Sequence, residues 1–440
     1  MPSTAGATSS RSGFTTAEAP REEDLYKCVH CGFCLNVCPT YLATGLESES
    51  PRGRLAMMKA VNEGRLEIGP AVIPSWELCL QCRACEDACP SNVPYGSLME
   101  SVRLEIKTVA RRPRHARFAR RVGFGILLQR PRLLRAYATG IKLYQRSGMR
   151  RVVRATGILR LLPGNQVVLE AYLPELKTKF FTASNQTATP LASERKAKVA
   201  LLAGCVMPLM HGPTMEAAMR VLRRNGIEVI VPAGQACCGA LNVHAGERET
   251  AREMARRNID SFLKLDIDAV ITASGGCGTQ MKDYGELLAG DPEYAEKAER
   301  LAGMTRDIHE YLVEVGFKPP QGALDMTVTY QDACHLAHTQ GITDQPRQLL
   351  NSIPGLKLVE MPESSVCCGA GGTYAITSPE MSGYLRDRKV EAVESTGATV
   401  VASGNPGCVL QMTKGLEARG STTQVKYVID LLDEAYSREK

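Results

Sequence analysis

Eight of the sixteen cysteines fall in two short runs that share one spacing. Each run reads CxxCxxCxxxCP, so that three cysteines are followed by a fourth and then directly by proline. The runs are Cys28, Cys31, Cys34 and Cys38 before Pro39, and Cys79, Cys82, Cys85 and Cys89 before Pro90. Thiolates are soft ligands that select iron and sulfide over hard ions, and this spacing wraps a short loop around a cubane cluster. The pattern predicts two [4Fe-4S] clusters.

The fourth cysteine of each run is expected to serve the other cluster, as it does in two-cluster ferredoxins. This exchange assigns Cys28, Cys31, Cys34 and Cys89 to one [4Fe-4S] cluster, and Cys79, Cys82, Cys85 and Cys38 to the second. It also brings the two clusters close together, so electrons can pass between them.

Disulfides and zinc sites are the alternatives. The N-terminal segment 1–20 is small and polar, lacks the apolar core of a signal peptide, and is predicted to be disordered. A chain kept in the cytoplasm holds its cysteines as thiols, which disfavours disulfides. A structural zinc site is built from two cysteine pairs, so it would need neither the third cysteine spacing of each run nor the proline.

The other eight cysteines form an internal duplication. The first copy has Cys205, Cys237, Cys238 and Cys277, and the second has Cys334, Cys367, Cys368 and Cys408. Equivalent cysteines lie 129, 130, 130 and 131 residues apart, so the two copies are repeats of one domain.

Short β-branched segments alternate with helical segments in both repeats, which predicts parallel sheets. Each cysteine group follows such a strand, at the edge where sites of α/β domains collect. A buried free thiol is an ordinary interpretation of a single cysteine, but not of a repeated adjacent pair. We predict a metal or cluster site, or a redox-active thiol site, in each repeat.

The chain is 440 residues long, enough for about three domains. We predict an α+β multidomain protein with a helical two-[4Fe-4S] ferredoxin domain, a basic helical linker and two repeated α/β domains with parallel sheets. The predicted boundaries are 1–20 for the disordered N-terminus, 21–108 for the ferredoxin domain, 109–195 for the linker, and 196–320 and 321–440 for the two repeats.

Basic residues are concentrated in the segment 103–160, which carries seventeen Lys or Arg and the single acid Glu105. Its arginines alternate with apolar residues, which fits a solvated linker, a docking surface for acidic partner subunits, or a peripheral anchor on anionic lipid. We favour docking to a partner or membrane. Nucleic-acid binding is disfavoured because no binding motif accompanies the charge.

Several motifs resemble those of the iron-sulfur subunit of bacterial glycolate oxidase, over nearly the whole chain. They include CVHCGFC, PRGR at 51–54, ASGGCG and CCGAGGTYA. The resemblance identifies the two repeats as CCG (cysteine-rich) domains. In related heterodisulfide reductases the motif ends in CxxC, which supplies a fifth ligand to a non-cubane cluster. Here Ser274 and Asn405 stand at the first position of that pair, which puts five-thiolate ligation in doubt.

The resemblance implies an electron-transfer subunit that works with FAD-containing subunits, which oxidise glycolate to glyoxylate, and with a quinone or other membrane acceptor. The chain would then act in the cytoplasm or at the inner face of the cell membrane. No strand-linked GxGxxG motif is present, so substrate oxidation is not expected from this chain alone. An iron-sulfur subunit of a lactate or glycerol 3-phosphate dehydrogenase and a cysteine-rich redox-sensing scaffold remain alternatives.

Overall fold

The computed structural model describes residues 13–161, 166–176, 178–191 and 194–439. The chain divides into two compact units. The first contains the chain up to Arg111 together with residues 244–247, and the second contains Arg112–Val243 and Arg248–Lys440. The predicted α+β multidomain class is confirmed, whereas the domain boundaries stay a prediction.

The first unit is helical within its described part. Its helices are α1 (Glu22–Tyr26), α2 (Pro39–Thr44), α3 (Pro51–Asn62), α4 (Ile73–Glu77), α5 (Ala84–Asp87) and α6 (Tyr95–Val109), with a 3-10 turn at Glu47–Glu49. Helix α3 begins where Ser50 accepts a hydrogen bond from the Gly53 amide, and it ends before Gly64, which adopts a left-handed φ of 69°. The buried side chains of Leu55, Met58 and Val61 then face the core of this unit.

The N-terminal segment is ordered over a part for which disorder was predicted. Phe14 packs into the core of the first unit, and the backbone amides of Thr15 and Thr16 donate to the buried carboxylate of Glu105. A single aromatic residue and a buried acid thus fix a segment whose composition is polar. The contacts of Phe14, Thr15 and Thr16 favour order in this part of the segment. The bounds of the disordered N-terminus stay a prediction, and residues 1–12 lie outside the described part.

From Arg112 onward, the basic segment and the residues that follow it form helices in the second unit. They are α7 (Arg114–Val122), α8 (Pro131–Arg146), α9 (Met149–Thr156) and α10 (Gln166–Ala171), with a π-helical turn at Gly123–Leu127 and a 3-10 turn at Ile158–Leu161. Among the described residues, no helix has the length and apolar content needed to cross a bilayer.

The first repeat contains a sheet in the order β1-β3-β2-β4-β5. Its strands are β1 (Thr187–Ala188), β2 (Ala197–Leu201), β3 (Ile227–Ile230), β4 (Ala269–Thr272) and β5 (Thr305–Asp307). Its helices are α11 (Met207–Met210), α12 (Gly212–Arg224), α13 (Ala240–His244), α14 (Arg248–Phe262), α15 (Gly275–Lys282), α16 (Tyr284–Leu287), α17 (Ala295–Met304) and α18 (Ile308–Glu314). Strands β2 to β5 are parallel, whereas β1 adds an antiparallel edge that the sequence did not predict.

The second repeat has the strand order β7-β6-β8-β9, all parallel. Its strands are β6 (Met326–Tyr330), β7 (Leu356–Glu360), β8 (Val400–Ser403) and β9 (Gln424–Tyr427). Its helices are α19 (Cys334–Gln340), α20 (Asp344–Asn351), α21 (Tyr374–Thr377), α22 (Pro379–Ser395), α23 (Pro406–Ala418) and α24 (Val428–Ser437). This order matches that of β3-β2-β4-β5, as expected for a duplicated domain.

The two repeats share one hydrophobic core. Val221 and Leu222 of α12 belong to the same buried cluster as Leu431 and Leu432 of α24. Burying a large aliphatic side chain contributes about 1.5–3 kcal/mol, so this interface stabilises both repeats.

Candidate metal centres

Four cysteines surround one cavity in the first unit. Cys79, Cys82 and Cys85 of the second run line it together with Cys38 of the first run, around an empty volume of about 310 Å³. These are the four residues predicted to hold the second cluster. A donor set of four thiols from two loops suits an iron-sulfur cluster.

Left-handed backbone at equivalent positions shapes the two cysteine loops. The first loop has positive φ at His30 and Gly32, and the second has positive φ at Gln81 and Arg83, 51 residues later in each case. Such turns allow closely spaced side chains to converge on one centre, although the conformation is unfavourable for residues other than glycine. The similarity of the two loops is consistent with their serving similar groups.

The thiols of the first run are less enclosed. Burial raises the pKa of the Cys34 thiol to about 11, with additional contributions from nearby Cys28 and Cys38. Cys31 is exposed and Cys89 is half-buried. The described contacts do not bring either against another thiol, so the ligand set of the first cluster stays a prediction.

The cavity is also lined by a buried positive charge. Arg54 is 1% exposed, and its guanidinium donates to the Ser75 carbonyl at 2.7 Å and to the Glu49 carboxylate at 2.9 Å. Arg103 donates to the backbone carbonyls of Glu77 and Cys79. A cluster held by four thiolates carries net negative charge, which these two guanidiniums would compensate.

Hydrogen bonds to the cysteine sulfurs stabilise their thiolate form, whereas burial destabilises it. The Gln81 amide lies 3.4 Å from Cys79 Sγ, and the Tyr95 hydroxyl lies 3.9 Å from the same atom. Burial raises the pKa of Cys85 well above its usual value. A metal would offset this effect of burial, because its positive charge stabilises the thiolate and a coordinating thiol is deprotonated. The residues present therefore fit an iron-sulfur cluster.

Arg54 and Tyr95 were not predicted as site residues. Arg54 stands directly before the apolar positions Leu55, Met58 and Val61 of α3. A charged residue at the edge of a buried helix face is the signal that could have identified it, since an unpaired charge there would be costly.

In the first repeat, the four CCG cysteines meet at the carboxyl edge of the sheet. Cys205 follows β2, Cys237 and Cys238 follow β3, and Cys277 lies in α15 after β4. Cys237 Sγ and Cys205 Sγ are 3.2 Å apart, and the thiol of Cys238 contacts those of Cys237 and Cys277. The four thiols thus form one connected group.

The second repeat builds the same arrangement. Cys334 begins α19 after β6, Cys367 and Cys368 follow β7, and Cys408 lies in α23 after β8. Cys367 contacts Cys334 and Cys368, and Cys368 contacts Cys408. Both groups have the thiol donors of a cluster, although no set of three or more ligands among the described residues is placed to hold a single metal ion. Each group also contains pairs of contacting thiols, as a redox-active dithiol does.

Asn405 contributes a polar contact to the second group. Its amide Nδ2 lies 3.5 Å from Cys408 Sγ. An amide nitrogen thus approaches the thiol group from the position at which a CxxC ending would place a fifth cysteine, and it can donate a hydrogen bond to sulfur.

Three family models match the chain. The model of the 4Fe-4S dicluster domain matches residues 24–93. The model described as the linker region of the glycolate oxidase iron-sulfur subunit matches 115–173. The model of the cysteine-rich CCG domain matches 199–282 and 328–413. These matches confirm a ferredoxin domain, a linker and two CCG repeats, and they support iron-sulfur clusters as cofactors.

Curated relatives are similar over nearly the full length. A Bacillus subtilis protein named probable glycolate oxidase iron-sulfur subunit is 42% identical over 94% of both chains. The Escherichia coli glycolate oxidase iron-sulfur subunit is 32% identical, over 94% of this chain and 95% of its own. Lactate utilization protein A of Bacillus subtilis is 31% identical over 54% of this chain and 99% of its own.

Proposed function

Because the chain belongs to the family of glycolate oxidase iron-sulfur subunits, we propose that it conducts electrons from FAD-containing partner subunits to a quinone-type acceptor. The coarser assignment, an iron-sulfur subunit of a glycolate oxidase-like complex, follows from the similarity itself. The direction of electron flow, the flavin and the acceptor belong to the proposal.

The position of Cys38 is the observation that carries this proposal. Cys38 lines the cavity of the second cysteine run, yet it also interacts electrostatically with Cys34 of its own run. Cys85 of the second run interacts with Cys34 as well as with Cys38. Two clusters bound to such interleaved thiols would lie close enough to exchange electrons.

The ligand sets are part of the proposal and are those that the sequence predicts. One [4Fe-4S] cluster is held by Cys28, Cys31, Cys34 and Cys89, and the other by Cys79, Cys82, Cys85 and Cys38. When bound, the clusters supply one-electron redox chemistry. The chain's own residues hold the clusters, compensate their charge through Arg54 and donate hydrogen bonds to their sulfurs.

The CCG groups extend the path in this proposal. Four contacting thiols in each repeat are the donor set of an additional iron-sulfur cluster or metal ion. Asn405 at 3.5 Å from Cys408 Sγ offers a hydrogen bond to such a centre, which is one way a protein adjusts the potential of a cluster.

The substrate is glycolate in the favoured version of the proposal. Its oxidation to glyoxylate releases two electrons and two protons. The flavin subunits accept the electrons and pass them on one at a time, and the protons are released to solvent. The chain's similarity to lactate utilization protein A keeps lactate as the second candidate. Substrate choice would lie in the flavin subunits.

The basic segment supplies a docking surface in this proposal. On helices α8 and α9, Leu143, Met149 and Val152 are 56–64% exposed, among exposed arginines such as Arg151 and Arg154. Exposed apolar and cationic side chains together favour an anionic membrane surface or an acidic partner subunit. We place the complex in the cytoplasm, in peripheral contact with the inner face of the cell membrane through 103–160.

Reconstitution tests the proposed function. The flavin subunits are assayed with glycolate and a short-chain quinone, with and without this chain, and with lactate as the competing substrate. The proposal requires that quinone reduction depend on the chain and that a Cys85→Ser variant fail to restore it. Equal rates without the chain would overturn it.

A further inference from the structure

A second cavity in the structure opens beside the CCG group of the first repeat. It has an empty volume of about 530 Å³, and the thiols of Cys205 and Cys237 form part of its wall. Apolar side chains, among them Leu128, Leu134 and Phe181, make up much of the rest. Sites for small organic ligands have this apolar character, with a few polar groups that fix orientation.

The linker is fastened to the first repeat next to this cavity. The Asn242 side chain donates to the Phe124 carbonyl at 3.1 Å, and Gln129 contacts Glu253 at 2.7 Å through its side chain. Arg257 donates to the Gln129 carbonyl at 2.8 Å. These bonds hold the start of α8 against the repeat, so the cavity wall is built from two parts of the second unit.

The polar side chains in the wall differ in which of their hydrogen-bonding groups could bind a ligand. Both ends of the Gln235 side-chain amide bond to the backbone. The amide oxygen accepts from the Ala203 amide at 2.6 Å, and the amide nitrogen donates to the Pro232 carbonyl at 2.9 Å. Arg135 donates a hydrogen bond from one Nη to the Phe181 carbonyl at 3.0 Å. The remaining guanidinium donors can bind a carbonyl oxygen of a ligand.

We propose that this cavity binds the headgroup of a quinone, with Arg135 donating to a quinone carbonyl and the ring lying against the Cys205–Cys237 thiol group. The apolar wall suits a flat, neutral ring. Leu133 and Tyr137 on the same helix are exposed, and in this proposal they contact the isoprenoid tail.

This inference rests on the proposed function, to which it adds the place where electrons leave the chain. The quinone takes two electrons from the iron-sulfur clusters and two protons from solvent to become a quinol. The electrons come from oxidation of the 2-hydroxy acid at the flavin, so the sum is hydroxy acid plus quinone giving keto acid plus quinol.

Binding of a short-chain benzoquinone to the full-length chain, purified anaerobically with its clusters, tests the site by equilibrium dialysis. We expect Arg135→Ala to weaken binding about tenfold, the loss expected for one charge-assisted hydrogen bond. Leu134→Trp should also block binding by filling the cavity. Arg132→Ala is the matched control, because Arg132 lies on the same helix, is exposed and does not line the cavity.

Iron content and the far-ultraviolet circular dichroism of each variant verify folding. If Leu134→Trp does not fold, the comparison of Arg135→Ala with Arg132→Ala tests the site. The absence of quinone binding by the unmodified chain, or equal affinities for Arg135→Ala and Arg132→Ala, would overturn the site. In the reconstituted complex, Arg135→Ala should raise the KM for quinone while ferricyanide reduction is unchanged. Failure of the unmodified complex to reduce any quinone, with binding intact, would instead refute the proposed function.

Discussion

The hydroxyl of Ser274 donates a hydrogen bond to Oδ1 of Asn405 at 3.3 Å, although the two residues belong to different repeats. They occupy equivalent positions, 131 residues apart, and each is the N-cap of the helix that carries the last CCG cysteine. The Gly276 amide also donates to Asn405 Oδ1 at 3.3 Å. These bonds orient the Asn405 amide so that its nitrogen faces Cys408.

Replacing Asn405 tests whether the second repeat holds a redox centre. If it does, Asn405→Leu should lower the midpoint potential of that centre, because a hydrogen bond to sulfur stabilises the reduced, more negative state. Ser274→Ala, which removes only the orienting bond, should have a smaller effect in the same direction. Redox titration followed by electron paramagnetic resonance measures both, and unchanged signals in Asn405→Leu would contradict the assignment.

Arg54 is expected to set the potential of the cluster held at Cys79. Arg54→Gln should lower that potential by roughly 50 mV or more, since a lost charge interaction of ~1.4 kcal/mol corresponds to about 59 mV for one electron. Arg54→Lys keeps the charge and should shift the potential less. The same redox titration resolves this difference, and equal shifts in the two variants would show that charge is not the cause.

Asp430 links stability to pH. Burial raises the pKa of this carboxyl to about 6, while the Thr214 hydroxyl at 3.1 Å lowers it. A folded-state pKa above the unfolded value means that the folded state holds the proton more tightly, so this contribution to stability is lost as pH rises from about 4 to above 6. Asp430→Asn should therefore gain about 1 kcal/mol relative to the unmodified chain between pH 5 and pH 7.

Urea unfolding of both proteins at each pH measures the difference that Asp430→Asn makes. Taking this difference removes the pH dependence that both proteins share, including that of cluster loss. A difference in unfolding free energy that stays constant from pH 5 to pH 7 would contradict the raised pKa.

The exposed apolar side chains of α9 test membrane docking. Met149→Asp combined with Val152→Asp should reduce flotation with anionic liposomes at low salt several-fold, because it places acids where apolar groups would enter the interface. Glu296→Gln, on α17 in the first repeat, is the control and should float like the unmodified chain. Equal flotation of the double variant would favour a partner protein on this surface.

The sequence was sufficient for the repeats and for the placement of their cysteines. Parallel strands such as β2 and β4 are short apolar segments that recur with the cysteine spacing, and residues that follow such strands must meet at one sheet edge. Cys205 and Cys277 therefore lie in one thiol group, although 72 residues separate them in the chain.

The sequence was not sufficient for contacts made by single side chains. The order of 13–20 depends on Phe14 and on the acceptor Glu105, which is distant in the chain. The bond between Ser274 and Asn405 depends on how the repeats pack, and no local pattern encodes that packing. Arg54 was overlooked because a charged residue within a helix is usually solvated.

Cys38 is proposed to join the second cysteine run around one of two neighbouring clusters, and the electron paramagnetic resonance spectrum of the fully reduced protein tests this arrangement. We expect a spectrum broadened by magnetic interaction between two [4Fe-4S] clusters, and loss of that broadening in Cys38→Ser while the signal of the cluster held at Cys28 persists. A protein that contains zinc instead of iron, or a Cys38→Ser spectrum identical to that of the unmodified chain, would contradict it.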